Sequence, residues 1–229
     1  MDAEFWLVPY LCCPNSIALD VGANVGIYTW YMSKFSQLVI AFEPNPECLN
    51  NLKNRSPHNA VVVFGAASDR MGVAELRFDR SNTGIGTVDR RNTLNQFERL
   101  DLTSFYVPTY SLDALELKNV AFIKIDVEGH ESSVIQGALE TLRREQPALL
   151  IESENRHVAG AVRDVFSRLL AIGYSGYVLE SGKLLRIGAP GDESDFAEGL
   201  LAGKINFIFL HDDKREAYKA RLAAKFSIA

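Results

Sequence analysis

The sequence contains little cysteine and lacks the cysteine spacings of metal-binding or disulfide-rich scaffolds. Its three cysteines are Cys12, Cys13 and Cys48, and no CxxC pair occurs among them. A structural zinc site and a disulfide framework are therefore not expected. Free thiols are typical of a reducing compartment, which predicts a cytoplasmic protein.

The chain also lacks long apolar runs, an excess of basic residues and internal repeats. No apolar run approaches the roughly 20 residues that cross a bilayer, so no transmembrane segment is expected. The apolar stretch 5–13 follows Asp2 and Glu4 rather than basic residues, which argues against a signal peptide. Lysine and arginine number 24 against 29 aspartates and glutamates, for a net charge of −5. A nucleic-acid partner is not expected, because phosphate-binding surfaces are usually basic.

What is present fits an ordinary globular domain. Hydrophobic residues make up 47% and charged residues 23% of the 229 residues, and domains average about 150 residues. We predict one domain over 1–229 and expect a flexible, functional loop at 81–96. The loop at 81–96 and the segment 182–204 are expected to be substrate-side or surface insertions of this domain. The domain is expected to begin with an entry segment at 1–14 and to include a basic C-terminal helix at 214–226.

Short apolar runs alternate with helical patterns along the chain. Six short runs are mainly apolar without strict alternation and often end in an acid or a turn residue, which is typical of strands buried on both faces: 17–20, 38–42, 60–64, 120–126, 148–152 and 205–210. Another strand is expected at 73–78. Helical patterns cover 27–36, 46–54, 131–144 and 158–172. The strand–helix–strand order predicts an α/β domain with a mostly parallel sheet, helices on both faces, and ligands bound where the strands end.

The most informative motif follows the first predicted strand. The segment Asp20-Val21-Gly22-Ala23-Asn24-Val25-Gly26 opens a helix. Its spacing differs from the dinucleotide-binding GxGxxG and is that of the S-adenosylmethionine (AdoMet) loop of Rossmann-like methyltransferases. A carboxylate suits the cationic methionine end of AdoMet, directly or through water. We predict that Asp20, Gly22, Asn24 and Gly26 bind this cofactor, the alternative being a helix cap and a tight turn without a ligand.

Two further motifs extend the predicted cofactor site. Glu43 ends the second predicted strand, about 20 residues beyond the glycine-rich turn, where a ribose-binding acid sits in Rossmann units. Its two oxygens can accept hydrogen bonds from both hydroxyls of a diol. Ser68 and Asp69 follow the third predicted strand and are expected near the adenine, although the segment 69–72 is also typical of a turn.

A cluster of acids and a histidine ends the fourth predicted strand. The segment 123–131 reads IKIDVEGHE and brings Asp126, Glu128 and His130 to one strand tip. Together with DVGANVGIYT, FEPNP, AASDRMG and SLDAL, it resembles the FkbM family of AdoMet-dependent methyltransferases. The resemblance implies a Rossmann-like class I methyltransferase fold with seven strands, the last antiparallel. It also implies O-methylation of a hydroxyl on a sugar, glycan, glycolipid or natural-product acceptor.

Methylating a hydroxyl requires removal of its proton by a general base or with the help of a metal. We predict that Asp126, Glu128 and His130 form the catalytic side, with His130 as the base and Asp126 or Glu128 orienting it. A metal is not predicted, but Mg²⁺ held by Asp126 and Glu152 stays open. Lys124 lies within an apolar strand and is expected to pair with an acid on an adjacent strand or near the site, first Glu152.

Other residues and functions are interpreted more plainly. Gly137 is expected to allow a close helix–sheet contact, and His58, His157 and His211 are isolated in sequence and assigned no role. Two alternative functions stay open: a nicotinamide-dependent oxidoreductase, which lacks its GxGxxG here, and a non-catalytic AdoMet-binding protein. The acid–histidine cluster argues against the latter. The oligomeric state is left open.

Overall fold

A computed structural model describes residues 2–94, 100–188 and 201–228. The strands within these ranges are β1 (Ile17–Val21), β2 (Leu38–Glu43), β3 (Ala60–Phe64), β4 (Ala66–Ala67), β5 (Gly72–Asp79), β6 (Gly86–Thr87), β7 (Leu102–Tyr110), β8 (Val120–Ile125), β9 (Ala148–Glu152), β10 (Tyr174–Glu180), β11 (Lys183–Ile187), β12 (Asn206–His211) and β13 (Ser227–Ile228). The α-helices are α1 (Val8–Leu11), α2 (Ile27–Met32), α3 (Pro46–Arg55), α4 (Glu131–Gln136), α5 (Leu139–Glu145), α6 (Ala161–Leu170) and α7 (Arg215–Leu222). Short 3-10 helices cover Ala3–Leu7, Asp113–Leu115 and Asp212–Lys214.

Nine of these strands form one sheet in the order β13-β11-β10-β12-β9-β8-β1-β2-β3. The strands β3, β2, β1, β8 and β9 run parallel, and β12 is antiparallel to both β9 and β10. The predicted mostly parallel sheet is confirmed, and its six apolar runs are β1, β2, β3, β8, β9 and β12. The seven strands from β3 to β10 match the expected sheet. The observed sheet has nine strands instead of seven because β11 and β13 extend its edge.

The two faces of this sheet carry separate cores because successive strand residues point to opposite sides. On one face, Leu19 and Ile123 belong to a cluster with side chains of α4, α5 and α6. On the other face, Ala18 and Phe122 belong to a cluster with side chains of α1, α2 and α7. The predicted helices on both faces are confirmed.

Glycine decides where one predicted helix ends. The pattern at 131–144 forms two helices, α4 and α5, which are separated at Gly137. A Cβ atom on Gly137 would lie 2.0 Å from the carbonyl oxygen of Ser68. A close contact is therefore present at Gly137 as predicted, but it joins the end of α4 to Ser68, which follows β4, and not to a strand of the sheet.

A smaller, second sheet has the order β4-β7-β5-β6. Its β5 and β7 pair antiparallel over eight residues, from Gly72 opposite Thr109 to Asp79 opposite Leu102. The strand β7 was not predicted from the sequence, because threonine, serine and proline at 103–104 and 108–109 divide its apolar residues into short groups. The expected loop at 81–96 contains β6, and its residues 95–96 lie outside the described ranges. The expected insertion at 182–204 begins with β11, and its residues 189–200 lie outside them as well.

The described helices are short or amphipathic. None of them combines the length and the apolar character that a bilayer crossing requires. The helix α7, which was predicted from its basic pattern, buries Tyr218 and Leu222 against the sheet.

Candidate active site

One cleft brings the ends of β1, β2 and β8 together with the second sheet. It encloses about 640 Å³ including its open mouth, and Leu76 and Phe78 of β5 contribute to its wall. Six predicted site residues line it: Gly22, Asn24, Glu43, Asp126, Glu128 and His130. Among the described residues that line this cleft, the other predicted site residues do not appear: Asp20, Gly26, Ser68 and Asp69.

The turn after β1 is held in a conformation that glycine favours. Gly22 and Gly26 have φ values of +84° and +87°, and Asn24 lies in the left-handed region at +49°. A Cβ atom on Gly22 would lie 1.8 Å from the carbonyl oxygen of Asp126. Glycine at position 22 therefore permits direct contact between the ends of β1 and β8, and both Gly22 and Asp126 line the cleft.

A buried charge network lies beneath this turn. Asp20 is fully buried, its Oδ2 accepts a 2.6 Å hydrogen bond from Thr29 Oγ1, and its Oδ1 has no hydrogen-bond partner in the described structure. Lys124 Nζ lies 2.9 Å from Asp126 Oδ2. Burial lowers the pKa of Lys124, but the charges of Asp126 and Asp20 outweigh it and the pKa is raised. The predicted ion pair with an acid near the site is confirmed, but its first expected partner, Glu152, is wrong. Asp126 follows two residues later and offers its carboxylate on the same side of the chain.

Glu43 presents a carboxylate that is already oriented by the backbone. Its Oε1 and Oε2 each accept a 2.6 Å hydrogen bond, from the backbone nitrogens of Asn45 and Asn24 respectively. Burial raises the pKa of Glu43 to about 7, although both backbone donors oppose the shift. Each oxygen keeps a second lone pair, so the carboxylate can accept further hydrogen bonds from a ligand in the cleft.

His130 is oriented by a residue that the sequence analysis did not single out. Its Nδ1 lies 3.4 Å from Asp89 Oδ2, and its Nε2 lies 2.9 Å from Ser68 Oγ. The expected orientation by Asp126 or Glu128 is wrong, because those carboxylates pair with other residues. Asp89 precedes His130 by 41 residues, and its only sequence signal was its place in the polar loop 81–96.

Glu128 pairs with a histidine that was considered isolated. His157 Nε2 lies 2.8 Å from Glu128 Oε2. Burial lowers the pKa of His157, but the contact with Glu128 outweighs it and the pKa is raised. Glu128 has a φ of +53°, and its backbone oxygen accepts a 2.8 Å hydrogen bond from Asn92 Nδ2. The absence of a role for His157 is thus corrected: it fixes the side chain of Glu128 at the cleft.

Two further glutamates lie near these residues, the buried Glu131 and the partly buried Glu152. Burial raises the pKa of Glu131 to about 7. Burial, together with the charge of Asp126, raises the pKa of Glu152 to about 8. Within the described ranges, no group of three or more His, Cys, Asp or Glu side chains is placed to hold a metal ion.

Replacing Glu131 with glutamine is expected to change how stability depends on pH. The native pKa of about 7 exceeds the ordinary value of 4.5, so the stability that the protonated group contributes is complete below pH 4.5 and is lost as pH rises through 7. The free energy of unfolding of Glu131→Gln, compared with that of the wild type, should therefore rise by on the order of 3 kcal/mol as the pH increases from 5 to 8. Chemical denaturation at several pH values measures this difference.

The exposed Glu140 provides the control for that experiment. Its carboxylate pairs at the surface with Arg143, 3.1 Å away. The Glu140→Gln variant should follow the wild type at every pH. A Glu131→Gln curve that is parallel to the wild-type curve would contradict the raised pKa of Glu131.

Comparisons with known proteins matched this chain to a family and to relatives of that family's activity. The profile of the Methyltransferase FkbM domain matches residues 20–175. Methyltransferase 1 of Beauveria bassiana (strain ARSEF 2860) is 27% identical over 148 residues, which cover 54% of this chain and 58% of that protein. Hexuronic acid methyltransferase AglP of Haloferax volcanii is 27% identical over 136 residues, which cover 56% of this chain and 52% of that protein. The chain thus spans little more than half the length of these relatives.

A solved structure shares the fold. The crystal structure of a methyltransferase FkbM from Methylobacillus flagellatus KT superposes with a TM-score of 0.55 at 16% sequence identity. The match covers 87% of this chain and 44% of that chain.

Proposed function

The chain belongs to the FkbM methyltransferase family, and from this premise we propose that it is an AdoMet-dependent O-methyltransferase. Its proposed acceptor is a hydroxyl of a sugar, glycan, glycolipid or natural product. One observation carries the proposal: the glycine-rich turn, the Glu43 carboxylate and His130 line a single cleft. A nicotinamide-dependent oxidoreductase is not supported, because the family has a methyl-transfer activity and the chain lacks GxGxxG.

The residues of the cleft fit AdoMet chemically. The ribose diol offers two hydroxyl donors, and Glu43 offers a buried, acceptor-only carboxylate that the backbone holds in place. The methionine end carries positive charge, and the turn lies above the carboxylates of Asp20 and Asp126. Gly22 and Asn24 would line the cofactor directly, whereas Asp20 and Gly26 would shape the turn from beneath. Ser68 and Asp69 would act near the adenine side through the segment that follows β4.

The chemistry divides between the cofactor and the chain. When bound, AdoMet supplies a methyl group that is already activated for displacement. The residues of the chain must align the acceptor oxygen with that methyl group and remove its proton. We propose that His130 takes the proton, and that Asp126, held by Lys124, and Glu128, held by His157, orient the acceptor. A role for Mg²⁺ at Asp126 and Glu152 is not part of this proposal.

The acceptor class is supported by a relative and not by the fold. AglP is named for its action on a hexuronic acid, a sugar that carries several hydroxyls. The net charge of −5 agrees with a small or sugar-like acceptor, and the absence of a nucleic-acid partner stays a prediction.

Calorimetric titration with S-adenosylhomocysteine tests the cofactor first, with NADH as the control ligand. Binding of S-adenosylhomocysteine alone supports the proposal and justifies screening sugar hydroxyls with radiolabelled AdoMet. Binding of NADH alone would favour the oxidoreductase. Binding of S-adenosylhomocysteine without transfer to any acceptor would favour a non-catalytic cofactor-binding protein.

Cofactor affinity is expected to fall as the pH falls below about 7. The pKa of Glu43 is raised to about 7, and the donors of the ribose favour its ionised form. A proton on Glu43 must be lost for both hydroxyls to be bound, so affinity should drop by up to about tenfold per pH unit below 7. Calorimetry with S-adenosylhomocysteine between pH 5.5 and 8 measures this slope.

The Glu43→Gln variant isolates the contribution of this carboxylate. It should bind S-adenosylhomocysteine at least about tenfold more weakly at pH 8, since an amide nitrogen cannot accept the bonds of the diol. Its affinity should also lose most of the pH slope, although Glu131 and Glu152 titrate in the same range. An unchanged slope in this variant would contradict the role of Glu43.

A further inference from the structure

A chain of hydrogen-bonding groups runs from the segment after β4, through His130, to the loop after β6. Ser68 Oγ lies 2.9 Å from His130 Nε2, and His130 Nδ1 lies 3.4 Å from Asp89 Oδ2. Arg91 holds the same carboxylate, with Nη2 at 2.8 Å from Oδ2 and Nε at 3.0 Å from Oδ1. Ser68, His130 and Asp89 are all largely buried, so water competes little for these contacts.

The Asp89 carboxylate stays ionised in this setting. Burial raises its pKa, but the hydrogen bonds from His130 and Arg91 outweigh burial and hold the pKa well below its usual range. The loop is also fixed from its backbone side, because Arg77 Nη2 donates to the carbonyl oxygens of Asp89 (2.7 Å) and Asn92 (2.6 Å). Asp89 is therefore a fixed, charged neighbour of the imidazole.

An ionised carboxylate can only accept a hydrogen bond, and this decides the tautomer of a neutral imidazole. With the proton on Nδ1, His130 donates to Asp89, and Nε2 presents a lone pair toward Ser68. With the proton on Nε2, a bare Nδ1 would face a carboxylate oxygen, and two acceptors would repel each other. The carboxylate therefore favours the first arrangement.

We propose that Asp89 is a positioning residue of the methyl-transfer site, which holds His130 as the Nδ1–H tautomer and so keeps Nε2 available as a proton acceptor. The inference rests on the proposed function and deepens it. For transfer, Ser68 turns its hydroxyl to Asp69 Oδ1, 3.2 Å away, and the acceptor hydroxyl takes its place at Nε2. The O–H bond of the acceptor breaks and an N–H bond forms at Nε2. An oxygen lone pair forms the new bond to the methyl carbon, and the carbon–sulfur bond of the sulfonium breaks with its electron pair left on sulfur. Asp89 stabilises the resulting imidazolium, which later releases its proton to water.

The Asp89→Asn variant tests this role because the arrangement of donors fixes its amide. Oδ1 of Asp89 accepts from the backbone nitrogen and from Nε of Arg91, at 2.9 and 3.0 Å. The backbone nitrogen of Arg91 cannot move away, so the amide oxygen of asparagine will stay on it, which leaves the NH₂ group facing Nδ1 of His130 and Nη2 of Arg91. The Arg91 side chain is 60% exposed and can turn into solvent, which removes the repulsion between these two donors. The imidazole must then accept at Nδ1 and carry its proton on Nε2, so it can no longer accept a proton there.

Two readouts are expected to change together. In ¹⁵N spectra of histidine-labelled protein at alkaline pH, His130 should be protonated at Nδ1 in the wild type and at Nε2 in Asp89→Asn. The kcat for methyl transfer should fall roughly 100-fold, on the scale of general-base catalysis. The KM for AdoMet should change by less than about twofold, since Asp89 lies outside the described lining of the cleft.

The Asp79→Asn variant is the matched control. Asp79 is a buried acid on β5 of the second sheet. Its Oδ1 accepts hydrogen bonds from Ser81 and from the Asp101 backbone nitrogen. It should lower stability without changing the tautomer of His130 or the kcat.

Several outcomes would overturn the proposal. These are an Nε2–H tautomer in the wild type, an unchanged tautomer in Asp89→Asn, and a loss of kcat that Asp79→Asn reproduces. Failure of the proposed function is a separate result, since it appears as a wild-type protein that does not bind S-adenosylhomocysteine.

Discussion

Replacing Gly22 with alanine is expected to abolish binding of S-adenosylhomocysteine and to destabilise the domain by more than about 4 kcal/mol. The added Cβ would lie 1.8 Å from the carbonyl oxygen of Asp126, and no side-chain rotation relieves a clash with the backbone. The backbone of Asp126 cannot easily retreat, because its nitrogen donates a 2.9 Å hydrogen bond to Val21. The turn that contains Gly22 must therefore move away from Asp126, which changes the lining of the cleft. Chemical denaturation and calorimetric titration measure the two effects.

Gly160 provides a control with the same backbone strain and without the clash. Its φ is +75°, and a Cβ atom there would meet nothing within 4 Å. The Gly160→Ala variant should lose only about 1–2 kcal/mol, the cost of a left-handed alanine, and should bind S-adenosylhomocysteine normally. Equal losses in the two variants would show that strain alone, and not the contact with Asp126, makes glycine necessary at position 22.

Replacing Lys124 with methionine is expected to lower the free energy of unfolding by about 3–5 kcal/mol at pH 8, because it breaks a buried ion pair from one side. Lys124 is 6% exposed and lies 2.9 Å from Asp126. It also compensates Asp20, which is fully buried and has one unpartnered oxygen. Methionine preserves much of the side-chain length, so the loss reports mainly on charge. Denaturation at pH 8 measures it.

The deficit of Lys124→Met should shrink as the pH is lowered. Burial raises the pKa of Asp20, and the charge of Lys124 opposes that shift, so removing Lys124 raises the pKa further. A group with a raised native pKa contributes stability at low pH and loses it as the pH rises. The variant should therefore approach the wild type at pH 5. The surface variant Lys219→Met, which breaks a pair with Glu216, should cost less than about 1 kcal/mol at either pH. A pH-independent deficit for Lys124→Met would contradict the compensation of Asp20.

Much of this fold could be predicted because its signals are local. The apolar runs of β1, β2, β8, β9 and β12 mark strands that are buried on both faces. The same expectation is wrong for β3, which lies at the edge of the sheet and exposes Val61 and Phe64. The start of α3 was predictable for the same reason: Asn45 accepts a hydrogen bond from the backbone nitrogen of Glu47, and Pro46 follows it at the first helical position. The strand β10 gave a weaker signal because Ser175 and Gly176 interrupt its apolar residues.

In the candidate site, too, the local features could be predicted from the sequence and the contacts between distant residues could not. The sequence predicts that the cofactor loop, Glu43 and the IKIDVEGHE segment lie at the ends of neighbouring strands. In the structure, six of these residues line one cleft: Gly22, Asn24, Glu43, Asp126, Glu128 and His130. It did not identify the partners of the charged side chains. Lys124 pairs with Asp126 instead of Glu152, Glu128 pairs with His157, and His130 pairs with Asp89.

The amino-acid sequence by itself determined the α/β architecture, the glycine-rich turn and the family, since hydrophobic patterning and turn chemistry act over a few neighbouring residues. Only the tertiary structure decided which acidic side chain pairs with which lysine or histidine. His130 meets Asp89 across 41 residues and Ser68 across 62. Such pairs depend on distances of a few ångströms between distant segments, and those distances are set by how the second sheet and the helices pack around the ends of the strands.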